Sequence, residues 1–462
     1  MMQWKRIRKR RIEIMEKQGY EHELMGSMRV PKAVAVMAVP SVISSLVTVL
    51  YNMADTFFVG QTGDPLQVAA VSLTNPIFIL MMAFANMFGM GGSTVLSMAM
   101  GEKDEKRVRA ASSFVTYASV FVGIVFAAIL ILFMDPILGL FGANAETYAL
   151  ARGYTLHIAW GAPFIIWSAA ASFIVRAEGA SKEAMVGSMI GTIANIILDP
   201  IFISALGQGT AGAAIATSLG NILASGYYLW YFLKKSQVLS ISFKNFTWKQ
   251  NILTRICSTG LPTAIFSALM SVSTIVLNQM LVVYGNAPVA AIGIVFKANM
   301  FITFLQMGLA NGVQPLLGYN YGSGNGKRFR EVEWFTKKCC LVVGTLATLL
   351  YFFLREPIIR LFINDDEVVR YGVQMLTAYM LSGPVIGFLF VNMNSLQSVG
   401  HALEATILSI LRQGILLIPI LYLLQALFGL TGIIFGQSLT DCAAVFLSAI
   451  LWRRVRRGLP GN

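Results

Sequence analysis

The feature that most constrains this chain is a series of long apolar segments separated by short polar loops. A helix that crosses a hydrocarbon core of ~30 Å needs about 20 largely apolar residues, because lipid offers no partner for backbone polar groups. Twelve segments meet this requirement or come close, and they lie near residues 33–58, 68–99, 112–134, 150–175, 184–206, 211–233, 252–284, 289–317, 335–354, 371–396, 405–427 and 430–451. We therefore predict an all-α integral membrane protein with twelve transmembrane helices.

The composition excludes a water-soluble fold. Hydrophobic residues make up 56% of the chain and charged residues only 12%, whereas soluble domains carry about 25% charged residues. The net charge of +13 does not indicate nucleic-acid binding, because the basic residues lie in short loops between apolar runs. We expect anionic lipids of the inner leaflet to be the partner of this charge. The four cysteines have no CxxC or Cys/His spacing, so neither a disulfide nor a metal site is predicted.

The distribution of Lys and Arg predicts the orientation, since short cytoplasmic loops retain basic residues. With the N-terminus inside, the N-terminal tail, the even-numbered loops and the C-terminus hold 29 of the 35 basic residues, and the opposite loops hold four. Both termini are therefore predicted to be cytoplasmic. Residues 1–31 form a basic extension that we expect to lie as an amphipathic segment on the cytosolic membrane surface.

An internal repeat divides the chain into two halves. Shifting the sequence by 221 residues places GEKDEKRVR (101–109) on GSGNGKRFR (322–330) and Pro163 on Pro384, and near the ends the shift drifts by one residue. Because six is an even number of spans, the two halves are parallel repeats related by an axis along the membrane normal. The predicted units are a first lobe (32–235), a cytosolic linker (236–250), a second lobe (251–455) and a cytosolic tail (456–462).

Three stretches carry a family resemblance: AVPSVISSLVTVLYNMADTFFVG (38–60), the basic loop after the second span, and TIANIILDPIF (192–202). Together with two parallel six-span lobes, they resemble the multidrug and toxic compound extrusion (MATE) family, in its MepA-like and DinF-like bacterial branch. The resemblance implies a multi-pass antiporter of the bacterial cytoplasmic (inner) membrane. Such an antiporter exports organic, mostly cationic and amphipathic compounds in exchange for H⁺ or Na⁺ by alternating access of its lobes. Beyond the coupling ion we expect no cofactor and no enzymatic activity, and we expect a monomer.

The resemblance also assigns candidate coupling residues. In this branch the first and fifth helices carry carboxylates, which match Asp55 and Asp199, with Asn195 beside the latter. Another branch uses acidic residues on the seventh and tenth helices. The predicted seventh, eighth and tenth spans contain no Asp or Glu, so that second site is not carried over.

The residues themselves lead to the same carboxylates, because a charge at mid-bilayer costs roughly 2.5 to 3.5 kcal/mol and marks a functional candidate. At 1.5 Å per residue, Asp55 and Asp199 both lie ~25–35 Å from the inner face, in the outer half of one lobe. Asn195 and Asp199 are four residues apart and share a helix face, and Pro200 frees backbone carbonyls nearby. These oxygens suit a proton or a hard cation such as Na⁺. The alternative is that both carboxylates merely end their helices.

Four further residues are candidates for the cavity or for gating. Lys297 is expected to face the inter-lobe cavity, with snorkelling toward the periplasm as the alternative. Arg412 lies about two turns inside the cytoplasmic loop, so its stem is expected to reach water, and Asp441 either lines the second-lobe cavity or pairs with Arg412. Pro40 is the proline that we associate with bending of the first span.

Other functions are less consistent with the sequence. No predicted span contains an HExxH, GxSxG or DDxxD motif, nothing resembles a channel filter, and no ATP-binding P-loop occurs, so an ion gradient must supply the energy. The remaining alternative is a lipid-linked oligosaccharide or polysaccharide flippase of the same superfamily. Such a flippase would more often have fourteen spans and several arginines in its cavity.

Overall fold

The computed structural model describes residues 23–60, 64–236, 238–247 and 251–458. Most of the predicted N-terminal extension and the last residues of the predicted tail therefore lie outside the described residues. In the part that is described, the chain is built of helices and connecting loops and contains no strand. Its principal helices follow the twelve predicted spans in order.

We number the helices α1 to α12 after those spans. The first half contains α1 (Val30–Gly60), α2 (Pro65–Gly101), α3 (Glu105–Leu132), α4 (Tyr148–Ala177), α5 (Ser181–Asp199, continued by a π-helix Pro200–Ala205) and α6 (Gly209–Lys234). The second half contains α7 (Ile252–Val282), α8 (Asn286–Gly322), α9 (Gly326–Arg360), α10 (Asp366–Met380 and Ile386–Ser398), α11 (Ala402–Ile410, a π-helix Leu411–Ile415 and Leu417–Phe428) and α12 (Leu430–Arg456). A short helix, Met134–Leu140, links α3 to α4, and a 3₁₀ turn, Phe243–Asn245, lies in the linker.

Ten helices in the described part of the chain are long and apolar enough to cross a membrane. The two other predicted spans are α6, which is rich in Gly, Ala, Ser and Thr, and α10, which is broken between Met380 and Ile386. The break has a local cause, because Pro384 has no N–H to donate and disfavours helix at Gly383. The carbonyl of Gly383 accepts a hydrogen bond from Gln306 Nε2 at 2.6 Å instead.

The two halves form two helical lobes. In the first lobe α1 packs on α5, and α4 packs on α2, α3 and α6; in the second, α8 packs on α9 and α10, and α12 packs on α10 and α11. The repeat extends to the helix caps, since Asp104 accepts a hydrogen bond from Arg107 N and its repeat partner Asn325 accepts one from Arg328 N, both at 3.0 Å. The chain is thus an all-α membrane protein with two repeated lobes, as the sequence predicted.

The lobes meet through α1 with α8 and through α2 with α7 and α8. Two glycines make the closest approach possible: a Cβ on Gly91 would lie 2.0 Å from the carbonyl oxygen of Ile256, and one on Gly260 would lie 1.9 Å from that of Met87. The contact continues to the end of the bundle that carries the loops around residues 102–109 and 323–330, which we call the basic end. The lobes are therefore packed together toward the basic end.

Two polar contacts reinforce this closure. Gln314 of α8 accepts a hydrogen bond from Ser93 Oγ at 2.8 Å and donates one to Thr94 Oγ1 at 2.6 Å. The segment before α1 crosses to the second lobe, where the carbonyl of Met25 accepts hydrogen bonds from Asn320 Nδ2 at 3.0 Å and from Arg328 Nε at 3.2 Å. The first helix of the first lobe is thus tied to the second lobe at the basic end.

The described part of the predicted linker is folded against the first lobe. Tyr117 of α3 donates a hydrogen bond to the carbonyl of Ile241 at 2.7 Å, and Ser113 donates one to the carbonyl of Ser240 at 2.8 Å. The ring of Phe246 stacks on that of Phe114 at 5.8 Å between centroids. The linker is therefore positioned by α3.

Candidate functional site

A cavity of about 700 Å³ lies between the lobes, on the side away from the basic end. Its wall is mostly neutral, and both lobes contribute hydroxyl, amide, aromatic and methionine side chains. Examples of the polar residues are Thr48, Tyr51, Asn52, Asn86, Thr192 and Asn221, and examples of the apolar ones are Phe78, Met82, Phe173, Met270, Phe296 and Met300. Among the described residues, Arg412 and Asp441 are the only charged side chains that line it.

The first-lobe carboxylates lie just behind the cavity wall. Asp199 is fully buried where α5 changes from α-helix to π-helix. With the Asn195 amide oriented to satisfy both neighbours, its nitrogen donates to Asp199 Oδ2 at 3.0 Å and its oxygen accepts from the backbone N–H of Thr217 at 2.9 Å. Asp199 Oδ1 is enclosed and has no hydrogen-bond partner among the described residues. A proton or a cation would satisfy that oxygen.

Asp55 completes this group from α1. It lies five residues before the end of the helix, is half-buried, and is close enough to Asp199 for the two carboxylates to interact electrostatically. One turn earlier, the hydroxyl of Tyr51 lies 3.4 Å from Thr217 Oγ1. Of Asp55, Asn195 and Asp199, it is Asn195 that also lines the cavity. The structure therefore brings together Asp55, Asn195 and Asp199, the three residues predicted for ion coupling.

Neither carboxylate simply ends its helix. Asp55 lies within α1, and the helix that contains Asp199 continues through the π-helical turn Pro200–Ala205. Pro40, the proline that we associate with bending of the first span, lies inside an uninterrupted helix. In the described part of the chain no group of three or more His, Cys, Asp or Glu side chains is arranged to hold a metal ion.

The second lobe places a buried ion pair in the cavity wall. Arg412 Nε donates to Asp441 Oδ1 at 2.8 Å, and both side chains are only 7% exposed. Asp441 also accepts hydrogen bonds from Gln437 Nε2 at 3.1 Å and from Ser382 Oγ at 3.2 Å. Both alternatives for Asp441 therefore hold, since it lines the cavity and pairs with Arg412.

The expectation that the stem of Arg412 reaches cytoplasmic water is wrong. Its guanidinium lies 5.3 Å from the ring centroid of Phe266 and 5.4 Å from that of Phe390, inside the protein. The carboxylate of Asp441 and the two ring faces compensate for lost hydration. Depth along a helix does not reveal such partners on neighbouring helices.

The cavity-facing position predicted for Lys297 is also wrong. Phe296, Asn299 and Met300 of α8 line the cavity, whereas Lys297 does not line it and its side chain is exposed. Each residue advances 100° around a helix, so the neighbour of a cavity-facing residue commonly faces elsewhere. The long stem of Lys297 suits the alternative, an amine that snorkels toward water.

Comparison with known proteins places the chain in a family. The model of the MatE family matches residues 40–201 and 262–423, once in each lobe. This chain belongs to the MatE family. It is 34% identical to the multidrug export protein MepA of Staphylococcus aureus (strain MRSA252) over 432 residues, 92% of this chain and 94% of MepA. The MepA of Staphylococcus saprophyticus is 34% identical over 418 residues, 90% and 91% of the two chains.

Solved structures show the same MatE fold. One described as the outward-facing conformation of a multidrug resistance MATE family transporter superimposes with a TM-score of 0.88 at 24% identity, covering 95% of this chain and 98% of the other. A transporter of the MOP superfamily from Pyrococcus furiosus superimposes with a TM-score of 0.89 at 24% identity, covering 96% and 99%. The family and the fold predicted from the sequence are therefore confirmed.

Sequence reasoning missed several residues of the MatE site. The hydroxyls of Tyr51 and Thr217 pair with each other, Thr217 also bonds the Asn195 amide that holds Asp199, and Phe266 and Phe390 enclose Arg412. Hydroxyl and aromatic side chains are common in membrane helices, so composition alone does not single them out. The one available signal was spacing, because Tyr51 precedes Asp55 by four residues and shares its helix face.

Proposed function

We propose that this MatE protein is a multidrug exporter that exchanges organic cations for H⁺ or Na⁺ bound at Asp55 and Asp199. The observation that carries the proposal is the carboxylate pair directly behind the wall of the central cavity, in which Asp199 is fully buried and has one enclosed oxygen without a partner among the described residues. The names of the MepA relatives, which are multidrug export proteins, support the export of drugs. The neutral cavity wall with one paired arginine does not favour a flippase for pyrophosphate-linked lipids.

The cavity suits amphipathic compounds of drug size. Its volume of about 700 Å³ lies in the range of small-molecule sites, and its methionine side chains adapt to ligands of different shape. Aromatic faces attract organic cations. The negative charges of Asp55 and Asp199 lie behind the wall, so they favour a cation in the cavity without a fixed contact. A loose electrostatic preference of this kind is consistent with broad specificity.

The coupling mechanism follows from the position of Asn195. Two like charges in a low-dielectric site repel, and a bound proton or Na⁺ relieves that repulsion. Asn195 hydrogen-bonds both Asp199 and the backbone of α6 and also lines the cavity, so a change at the carboxylates reaches the drug site. We propose that ion binding favours one packing of α1, α5 and α6, with Pro40 as the bend. The ion and the drug then compete, as exchange requires.

The closed end supports an outward-facing conformation. The proposed orientation has both termini in the cytoplasm, so the basic end, where the lobes are closed, faces the cytosol. The cavity then opens toward the outside of a bacterial cytoplasmic membrane. We propose that the structure is the state that releases drug and takes up the coupling ion, and that the transporter works as a monomer.

Uptake of a fluorescent organic cation into everted membrane vesicles tests this function. We expect uptake to require a gradient and to stop when that gradient, either of protons or of sodium, is collapsed alone. Empty-vector vesicles are the control. Uptake that survives collapse of both gradients would contradict ion-coupled export.

A further inference from the structure

The ion pair between Arg412 and Asp441 is not used by the coupling mechanism proposed above. Asp441 engages Arg412 through Nε. Neither Nη nitrogen has a hydrogen-bond partner among the described residues, and neither is enclosed by protein atoms. Because Arg412 lines the cavity and is only 5% exposed, these donor groups reach the cavity itself. The central cavity therefore contains free guanidinium donors at a fixed position.

The first lobe has no counterpart of this pair in the repeat. A shift of 221 residues places Arg412 opposite Gly191, and a shift of 220 places it opposite Thr192; Asp441 lies opposite Asn221. All three first-lobe residues are uncharged and line the same cavity. The first lobe thus builds the equivalent wall without a charge. Since burying an ion pair is often neutral or unfavourable for stability, a role in ligand binding explains the pair better than a role in folding.

Asp441 and the two phenyl rings orient the guanidinium. Asp441 holds the Nε side, and the rings of Phe266 and Phe390 lie 5.3 Å and 5.4 Å from the guanidinium carbon. A guanidinium fixed in this way presents its two Nη groups as a planar fork, which matches the two oxygens of a carboxylate. Lys297, the other basic candidate of the same half, offers no such site because it does not line the cavity.

We propose that Arg412 is an anion subsite of the drug cavity that binds the carboxylate of zwitterionic aromatic substrates. This inference rests on the proposed export function and names a substrate class for it. Asp441 neutralises Arg412, so the subsite does not repel the cationic part of a substrate. A substrate that carries only a negative charge gains less binding free energy from Arg412, because Asp441 and the first-lobe carboxylates repel it. In a zwitterion, the carboxylate binds Arg412, and the cationic group is attracted by Asp55 and Asp199 behind the first-lobe wall.

A matched pair of dyes tests the subsite. One is a rhodamine with a free carboxylate, which is a zwitterion, and the other is the methyl ester of the same dye, which is a cation. Equilibrium binding of both to the purified protein is measured by fluorescence anisotropy, and export of both is measured in vesicles. The quantity of interest is the ratio of the dissociation constants of the acid and the ester.

The informative variant is the double substitution Arg412→Gln and Asp441→Asn. It removes both charges together, so no buried charge is left unpaired, and Gln and Asn can still hydrogen-bond. We expect the acid-to-ester ratio of dissociation constants to rise at least tenfold. Asp441→Asn alone should lower the ratio, because the guanidinium is then no longer neutralised. Lys297→Gln is the matched control, since it removes a basic charge that does not line the cavity, and it should leave the ratio unchanged.

The outcomes are distinct. An unchanged ratio in a monodisperse double variant would overturn the subsite, and so would an equal loss of both dyes, which indicates a structural role. A wild-type protein that binds the ester but not the acid would also overturn it. If the wild type binds both dyes with the expected dependence on Arg412 but exports neither under any gradient, the export function is wrong and the subsite stands.

Discussion

Replacing Asp199 with Asn tests the coupling mechanism most directly. Asn has nearly the same shape as Asp, and its side-chain oxygen can keep the 3.0 Å hydrogen bond from Asn195. The substitution weakens one charge-assisted hydrogen bond of about 1.5–3 kcal/mol to a neutral one of about 1 kcal/mol. It also removes a buried charge and its repulsion with Asp55, which opposes that loss. We therefore expect the variant to fold with a free energy of unfolding within about 1 kcal/mol of the wild type.

The effect on coupling should be large. Coupling between two sites is typically worth 1–3 kcal/mol, which is a 5- to 150-fold change in affinity. We expect saturating coupling ion to weaken binding of a fluorescent cation at least fivefold in the wild type and less than twofold in Asp199→Asn. Drug-driven counterflow of protons or sodium in vesicles should vanish in the same variant. The binding assay uses purified protein with and without the ion, and size-exclusion chromatography checks that the variant is monodisperse.

A matched control separates the site from a general loss of charge. Asp64 caps α2 on the same side of the molecule by accepting a hydrogen bond from Leu66 N at 2.9 Å, and Asn caps helices equally well. Asp64→Asn should therefore retain full exchange. Full exchange in both Asp199→Asn and Asp55→Asn would refute the first-lobe mechanism and direct attention to Asp441.

Three further predictions concern topology and closure. A cysteine at Lys244 should react with a membrane-impermeant thiol reagent only from the cytosolic side, and labelling from outside would contradict the orientation. Gln314→Ala removes the hydrogen bonds to α2, including that from Ser93, at a cost of about 1–3 kcal/mol to the closed state, so spin-label distances across the basic end should lengthen. Unchanged distances would show that the close contacts at Gly91 and Gly260 are enough to keep the lobes closed at the basic end. Arg328→Met loses its hydrogen bond to the carbonyl of Met25, so hydrogen exchange of residues 24–28 should accelerate while that of the lobe cores does not.

The sequence alone determined the architecture and one of the two polar sites. Hydropathy predicts spans because every backbone polar group in lipid must be paired within its own helix. The repeat then divides the spans into lobes, and equal depth with four-residue spacing places Asp55, Asn195 and Asp199 together. Even the less apolar sixth span was among the twelve segments predicted from their length and apolar character.

Only the tertiary structure decided what the long charged side chains do. Lys297 and Arg412 are both single basic residues inside apolar spans, yet the amine is exposed and the guanidinium is buried against Asp441. Hydropathy reports how readily a segment enters lipid, but it does not report which direction around the helix a side chain takes. That direction depends on partners from other helices, such as Phe266 and Phe390, whose proximity follows from the packing of the lobes.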